Sequence, residues 1–167
     1  EASADPFVQL AVAAYAEAWL TPGSPLEADA MTLVAYQGLG SLSEPIGLAV
    51  EHDKGVFVLA ATSNPEAVAT QTALVQVGET SGRSVAGGIV AGVSARNTLY
   101  PGLGPIGVVI GATVNLTDYG ISTSELARTP ILAPGFGEQG ASLDDLSRLF
   151  GPFTANVVAN VGRSVLR

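Results

Sequence analysis

The chain has 167 residues, 47% hydrophobic and 13% charged, and carries a net charge of −8 from 15 carboxylates against 7 Lys and Arg. That length suits one domain, residues 1–167, with a sizeable core, while scattered carboxylates without a basic stripe argue against a nucleic-acid partner. There is no cysteine and only one histidine, His52, which excludes disulfides, thiolate metal sites and an imidazole cluster.

Gly, Pro or a charge interrupts each apolar run before the roughly 18 to 20 residues of a membrane span. The N-terminus has no basic segment leading into an apolar run, so it does not read as a signal peptide. These absences suit a cytoplasmic protein.

Residues 11–20 place Ala11, Tyr15 and Trp19 on one helical face, and Pro22 and Gly23 end that helix. A strand is expected over Met31–Tyr36, then a Gly38-Leu39-Gly40 turn. Ser41-Leu42-Ser43-Glu44 reads as a capping box, with Pro45 tolerable in the first turn. His52 and Lys54 fall in the last turn of that helix, where the dipole favours cations, and read as structural. Gly55 opens the clearest strand, Val56–Ala61, and Asn64-Pro65-Glu66 has the form of an N-cap, a proline at the first helical position and an acid in the first turn.

A further helix is expected with Val85, Ile89 and Val93 on one face. Strands follow at 106–113, 130–133 and 157–161, with helices at 124–128 and 143–150 between them. The strands are continuously apolar, the pattern of parallel strands covered on both faces. Five βα-type units without hairpin signals imply an α/β fold, either a doubly wound sheet or a (β/α)8 TIM barrel.

In such folds ligands bind at the carboxyl ends of the strands. Those ends carry Tyr36-Gln37-Gly38, Thr62-Ser63-Asn64, Gly111-Ala112-Thr113, the loop from Pro134 through Gln139 to Gly140, and Gly162-Arg163-Ser164. A glycine-rich loop lets backbone N–H groups approach a phosphate, and an arginine after the last strand can grip it bidentately. The plain alternatives are a turn serine at Ser63, a solvated loop tip at Gln139, a surface arginine at Arg163, and helix-face packing for Tyr15 and Trp19.

VFVLAATSNPEA (56–67), IGVVIGAT (106–113), PILAPGFGEQGA (130–141) and VGRSVL (161–166) resemble consecutive strand ends of the actinobacterial-type orotidine 5′-phosphate decarboxylases. AAYAEAWL (13–20) and YQGLGSL (36–42) match the same family in the same order. The resemblance implies a TIM-barrel homodimer that decarboxylates orotidine 5′-phosphate (OMP) to UMP in pyrimidine biosynthesis, without metal or organic cofactor. It places the family's pyrimidine-contacting serine on Ser63, its phosphate-reaching glutamine on Gln139 in the loop that Pro134 opens, and its phosphate-gripping arginine on Arg163, with Gly162 supplying backbone.

One departure stands out. The family's catalytic strand carries Asp-x-Lys-x-x-Asp-Ile-Gly, in which the lysine protonates the carbanion left by CO₂. Counting back from residues 13–20 puts that motif across residues 1–8, where Glu1, Ser3 and Pro6 stand in place of Asp, Lys and Asp. Lys54 is the sequence's single lysine, so no catalytic residue is assigned and 1–12 is an atypical segment. A closed barrel needs about 200 to 250 residues. The expectation is therefore an incomplete TIM barrel of about five C-terminal βα units. The alternatives are a catalytically inactive partial barrel that binds a nucleotide phosphate or self-associates, and a phosphate-binding barrel of sugar-phosphate or tryptophan metabolism.

Overall fold

A computed structural model describes residues 6–165. Helix α1 spans Pro6–Leu20 and strand β1 Ala30–Leu33. The row Ala11, Tyr15, Trp19 is not the face that α1 buries. Ala16 and Leu20 are fully buried, whereas Tyr15 is exposed with its ring tilted against Trp19 at 6.3 Å. Small Ala13 and Ala16 let α1 come close to helix α2, Ser43–Glu51, which bulky rings would prevent. β1 is shorter than expected, because its ladder to the next strand stops at Leu33 and leaves Val34 and Tyr36 exposed.

The capping box does not form. Residues Leu39–Leu42 make a 3₁₀ turn instead, in which Ser41 Oγ donates to Gly38 O (2.7 Å) and Ser43 Oγ to Gly40 O (2.8 Å). The hydroxyls are thus taken by the carbonyls of the preceding turn, the usual local competitor of a cap. Strand β2 runs Gly55–Ala61. Asn64 and Pro65 do open a helical segment, 3₁₀ over Pro65–Ala67 and then α3 over Val68–Gln71, but the Asn64 side chain makes no capping bond.

Helix α4, Val85–Asn97, is capped by Ser84, whose Oγ accepts from Gly87 N (2.9 Å) and donates to Tyr119 O (2.5 Å). Its buried stripe is Ala86, Val90, Val93 and Asn97 rather than Val85, Ile89 and Val93. Ala86 and the glycine pair 87–88 set that stripe, since they let the helix lie close to its neighbours. Strand β3 covers Ile106–Ile110 and stops short of 113 because the chain turns at Gly111, whose carbonyl accepts from Val114 N at 3.0 Å. Thr123–Leu126 is a 3₁₀ turn where a helix over 124–128 was expected. Strand β4, Ile131–Phe136, helix α5, Leu146–Phe150, and strand β5, Val157–Val161, complete the order.

All five strands pair in parallel in the order β1-β2-β3-β4-β5. A doubly wound sheet reverses its strand order at a switch point. This one does not, so the arrangement is the open arc of a TIM barrel. Helices α2 and α4 cover one face, against which Val56, Val58, Ala60, Val108 and Ile131 are buried. The other face is the concave one. Strand β3 is buried throughout, but Thr32 on β1 and Val158 and Asn160 on β5 are exposed, so burial on both faces fails at the two edges.

At the N-terminal edge of the sheet, Lys54 Nζ donates to Glu27 Oε1 and Ala28 O, both at 2.8 Å, and Glu27 Oε2 accepts from Gly23 N at 2.8 Å. The lysine side chain is only 8% exposed. It ties the loop before β1 to the turn before β2; α2 ends at Glu51, so Lys54 lies beyond the last turn and is structural through this ion pair rather than through the helix dipole.

Candidate functional site

The strand ends meet on one rim because neighbouring backbones close it. Gly111 N donates to Ala61 O and Ala112 N donates to Pro134 O, both at 2.8 Å. That brings Ser63 after β2, Gly111 and Ala112 after β3, Pro134 within β4, and Gly162 and Arg163 after β5 to the same edge. Gly111 eases the first closure, since a Cβ there would lie a tight 3.3 Å from Ser63 N.

The loop after β4 is held by its own backbone: Gly137 N donates to Ala141 O (2.9 Å), Gly140 N to Gly137 O (2.9 Å) and Ala141 N to Gly135 O (3.2 Å). Gly135, Gly137 and Gly140 all have positive φ (115°, 81° and 104°), which side-chain-bearing residues rarely adopt. The consequence is chemical. Among the described residues the N–H groups of Glu138, Gln139, Arg163 and Ser164 make no backbone hydrogen bond, so they stand available to an anion. A cleft of about 510 Å³ lies between the loop and the end of β5, lined by Gly137, Gly140, Ser142, Asp144 and Ser164 among others, while Gln139, Gly162 and Arg163 stand outside its lining.

Of the two residues that the resemblance places at the phosphate, Arg163 has its Nε 3.6 Å from Oε2 of Glu138, the residue before Gln139, and the Arg163 and Glu138 side chains are both open to solvent. Gln139 turns back over the loop, its Oε1 3.7 Å from where a Gly135 Cβ would stand. An exposed pair at that distance holds its partners weakly.

Ser63 is exposed, but Thr62 before it is fastened. Gln71 Oε1 accepts from Thr62 N (2.9 Å), Gln71 Nε2 donates to Thr62 Oγ1 (3.1 Å), and Tyr119 OH donates to Thr62 O (3.4 Å). Sequence reasoning did not find Gln71 or Tyr119, which lie 9 and 57 positions from Thr62. No local pattern marks either.

Another hollow, of about 500 Å³, opens at the opposite edge among Phe57, Tyr100, Leu103 and Pro105. Its cation, Lys54, is already spent on Glu27 and Ala28 O. Among the described residues no cluster of His, Asp or Glu could hold a metal ion.

Residues 11–167 match the sequence profile described as the orotidine 5′-phosphate decarboxylase / HUMPS family. The chain belongs to that family. It is 45% identical over 157 residues to the orotidine 5′-phosphate decarboxylase of Streptomyces coelicolor, and 43% identical over 155 residues to that of Salinispora tropica. It superposes with a TM-score of 0.83 on a Streptomyces avermitilis structure assigned to orotidine 5′-phosphate decarboxylase, at 44% identity over 94% of this chain and 53% of that one. The Leishmania donovani UMP synthase structure is more distant, with a TM-score of 0.68 at 27% identity over 95% of this chain and 32% of that one.

The chain spans about half the length of the curated relatives it matches, 54% and 53% for the two named. The family match begins at residue 11; of residues 1–8, where the motif register fell, 1–5 lie outside the described residues and 6–8 lie in α1 rather than in a strand.

Proposed function

We propose that this chain is the nucleotide-holding part of an orotidine 5′-phosphate decarboxylase, with its phosphate site at the loop after β4 and the end of β5. The observation that carries the reading is the set of N–H groups at 138, 139, 163 and 164 left without backbone partners beside the Arg163 guanidinium. Such donors bind an anion without rearranging, and a guanidinium adds a two-pronged charged contact. In this reading Arg163 exchanges Glu138 for the phosphate, Gln139 swings onto the phosphate, Gly162 and Pro134 supply backbone, and Ser63 meets the pyrimidine from the β2 side of the rim.

Decarboxylation itself needs a group that stabilises the carbanion at pyrimidine C6 and then delivers a proton to it. An ammonium in a water-excluded site does both. Lys54 is at the wrong edge of the sheet and holds two acceptors there. A guanidinium is a poor proton donor, and the one on Arg163 is assigned to the phosphate. The 167-residue polypeptide therefore holds the nucleotide and does not turn it over.

Self-association and a cytoplasmic setting belong to the same reading. Exposed Val34 beside β1 and Val158 on β5 support association, since apolar side chains gain by leaving water.

The test is calorimetric titration of the chain with UMP and with uridine, alongside ultraviolet assay of OMP. UMP should bind, uridine should bind far more weakly, and OMP absorbance should stay constant. Equal affinity for the two ligands removes the phosphate site, and turnover abolished by Lys54→Ala removes the argument from chemistry.

A further inference from the structure

We infer that Gln71 and Tyr119 are positioning residues, which clamp Thr62 from two sides so that Ser63 is presented to the nucleotide base in one fixed pose. The inference rests on the proposed contact between Ser63 and the pyrimidine. Thr62 is the first residue beyond β2 and has left the ladder, so its backbone would be free to pivot. Instead each of its polar groups is engaged. The carboxamide of Gln71, at the end of α3, takes the N–H and the hydroxyl together, a two-point grip that fixes both backbone and side chain. The carbonyl accepts from the Tyr119 hydroxyl, the longest of the three bonds.

Tyr119 is itself buried and cannot wander. Its own carbonyl accepts from Ser84 Oγ at the N-terminus of α4, and the adjacent Gly120 packs on Gly87 of that helix. On the third side Gly111 packs on Ser63 N, where a Cβ would stand at a tight 3.3 Å. Ser63 is thus an exposed residue on a rigid base, the arrangement that makes a polar contact specific, because little ordering remains to be done when the ligand arrives. A grip that served only to end α3 would have no reason to include the Thr62 carbonyl, which Tyr119 reaches from the far side.

The experiment uses the chain with Gln71→Leu, Gln71→Glu, Tyr119→Phe and Ser63→Ala. Glutamate keeps the shape, still accepts from the N–H, and can hold the hydroxyl once that group turns from acceptor to donor, whereas leucine removes both bonds. Two readouts are taken: amide hydrogen exchange at Thr62 and Ser63, and affinity for UMP against ribose 5-phosphate, which carries the phosphate without the base.

The expected result is faster exchange at Thr62 in Gln71→Leu but not in Gln71→Glu. UMP affinity should fall roughly three- to tenfold in Gln71→Leu, the range one ordinary hydrogen bond supports, and by less in Tyr119→Phe. Ribose 5-phosphate affinity should stay constant in all four variants. Unchanged exchange in Gln71→Leu overturns the clamp. So does a UMP affinity that Ser63→Ala lowers and Gln71→Leu and Tyr119→Phe leave alone. Absence of UMP binding, or UMP affinity unmoved by Ser63→Ala, brings down the base contact itself and the role of the clamp with it. An equal loss for both ligands in Gln71→Leu reduces Gln71 to general support of the fold.

Discussion

The same substitution, glycine to alanine inside a helix, should change stability in opposite directions at two places in this chain. At Gly47, in the exposed middle of α2, a new Cβ would meet nothing within 4 Å. Removing the backbone freedom of glycine from the unfolded chain then stabilises by about 0.5–1 kcal/mol. At Gly87, in the first turn of α4, the new Cβ would stand 2.5 Å from Gly120 O and 2.9 Å from Ser84 Oγ. Ordinary contact lies near 3.5 Å, so a shift of roughly an ångström is required. Neither neighbour yields easily: Ser84 Oγ is held at 2.5 Å by Tyr119 O, and Gly120 turns with φ of 63°. Overpacking of that kind costs about 1–3 kcal/mol, and the helix-propensity gain of nearly 1 kcal/mol recovers only part of it. The net expectation is a loss of up to about 2 kcal/mol for Gly87→Ala. At roughly 2–4 °C per kcal/mol for a chain of this size, Gly47→Ala should melt a few degrees higher and Gly87→Ala up to several degrees lower. Urea titrations with an unchanged slope give the two free energies directly. A Gly87→Ala protein as stable as Gly47→Ala would refute the account of α4 as a helix seated on a backbone carbonyl.

Gly104→Ala should destabilise through one identifiable neighbour. Its Cβ would overlap the Asn97 carboxamide, which is fully buried and donates to Ile106 O at 2.7 Å. In a double-mutant cycle with Asn97→Ala the two losses should couple by about 0.5–3 kcal/mol, and strict additivity would contradict the packing. The pH dependence is also set. The Lys54 ammonium first, and the Gly23 N–H second, hold the Glu27 carboxyl below the usual range. A carboxyl whose pKa is depressed by folding contributes stability above its unfolded value and loses it as pH falls through the folded one. Stability should therefore decline as pH drops below roughly 4.3, and Glu27→Gln should flatten that part of the curve; an unchanged slope would count against the tie. Arg163→Ala should weaken UMP and ribose 5-phosphate alike in a calorimetric titration. A variant that loses affinity only for UMP would move Arg163 away from the phosphate.

Much of this was legible along the chain because it is local. Gly55 before a run of Val, Phe and Leu marks a strand start. A buried parallel strand needs apolar residues on consecutive positions, which is why β2 to β4 stand out. The Gly135–Gly140 loop is visible because positive φ selects glycine. The family could be recognised for the same reason, since its motifs are short strand-end segments in fixed order.

What the residues could not announce is which of several local options would win. Ser41 had a helix N-terminus and a turn carbonyl in reach, and the turn took it. On α1 and α4 the larger side chains, Tyr15, Trp19 and Ile89, do not form the buried stripe. The core instead took the stripes of Ala16 and Leu20 and of Ala86, Val90 and Val93, where small residues let helices and strands close up. Composition, the alternation of strand and helix, the glycine loop and the single lysine were properties of the sequence by itself. The open arc, the placing of Lys54 at the edge away from the strand ends, the ion pair of Arg163 with Glu138, and the grip of Gln71 and Tyr119 on Thr62 came only with tertiary structure. The physical reason is separation: those partners stand from 9 to 57 positions apart, and no periodicity relates residues that only the folded sheet brings together.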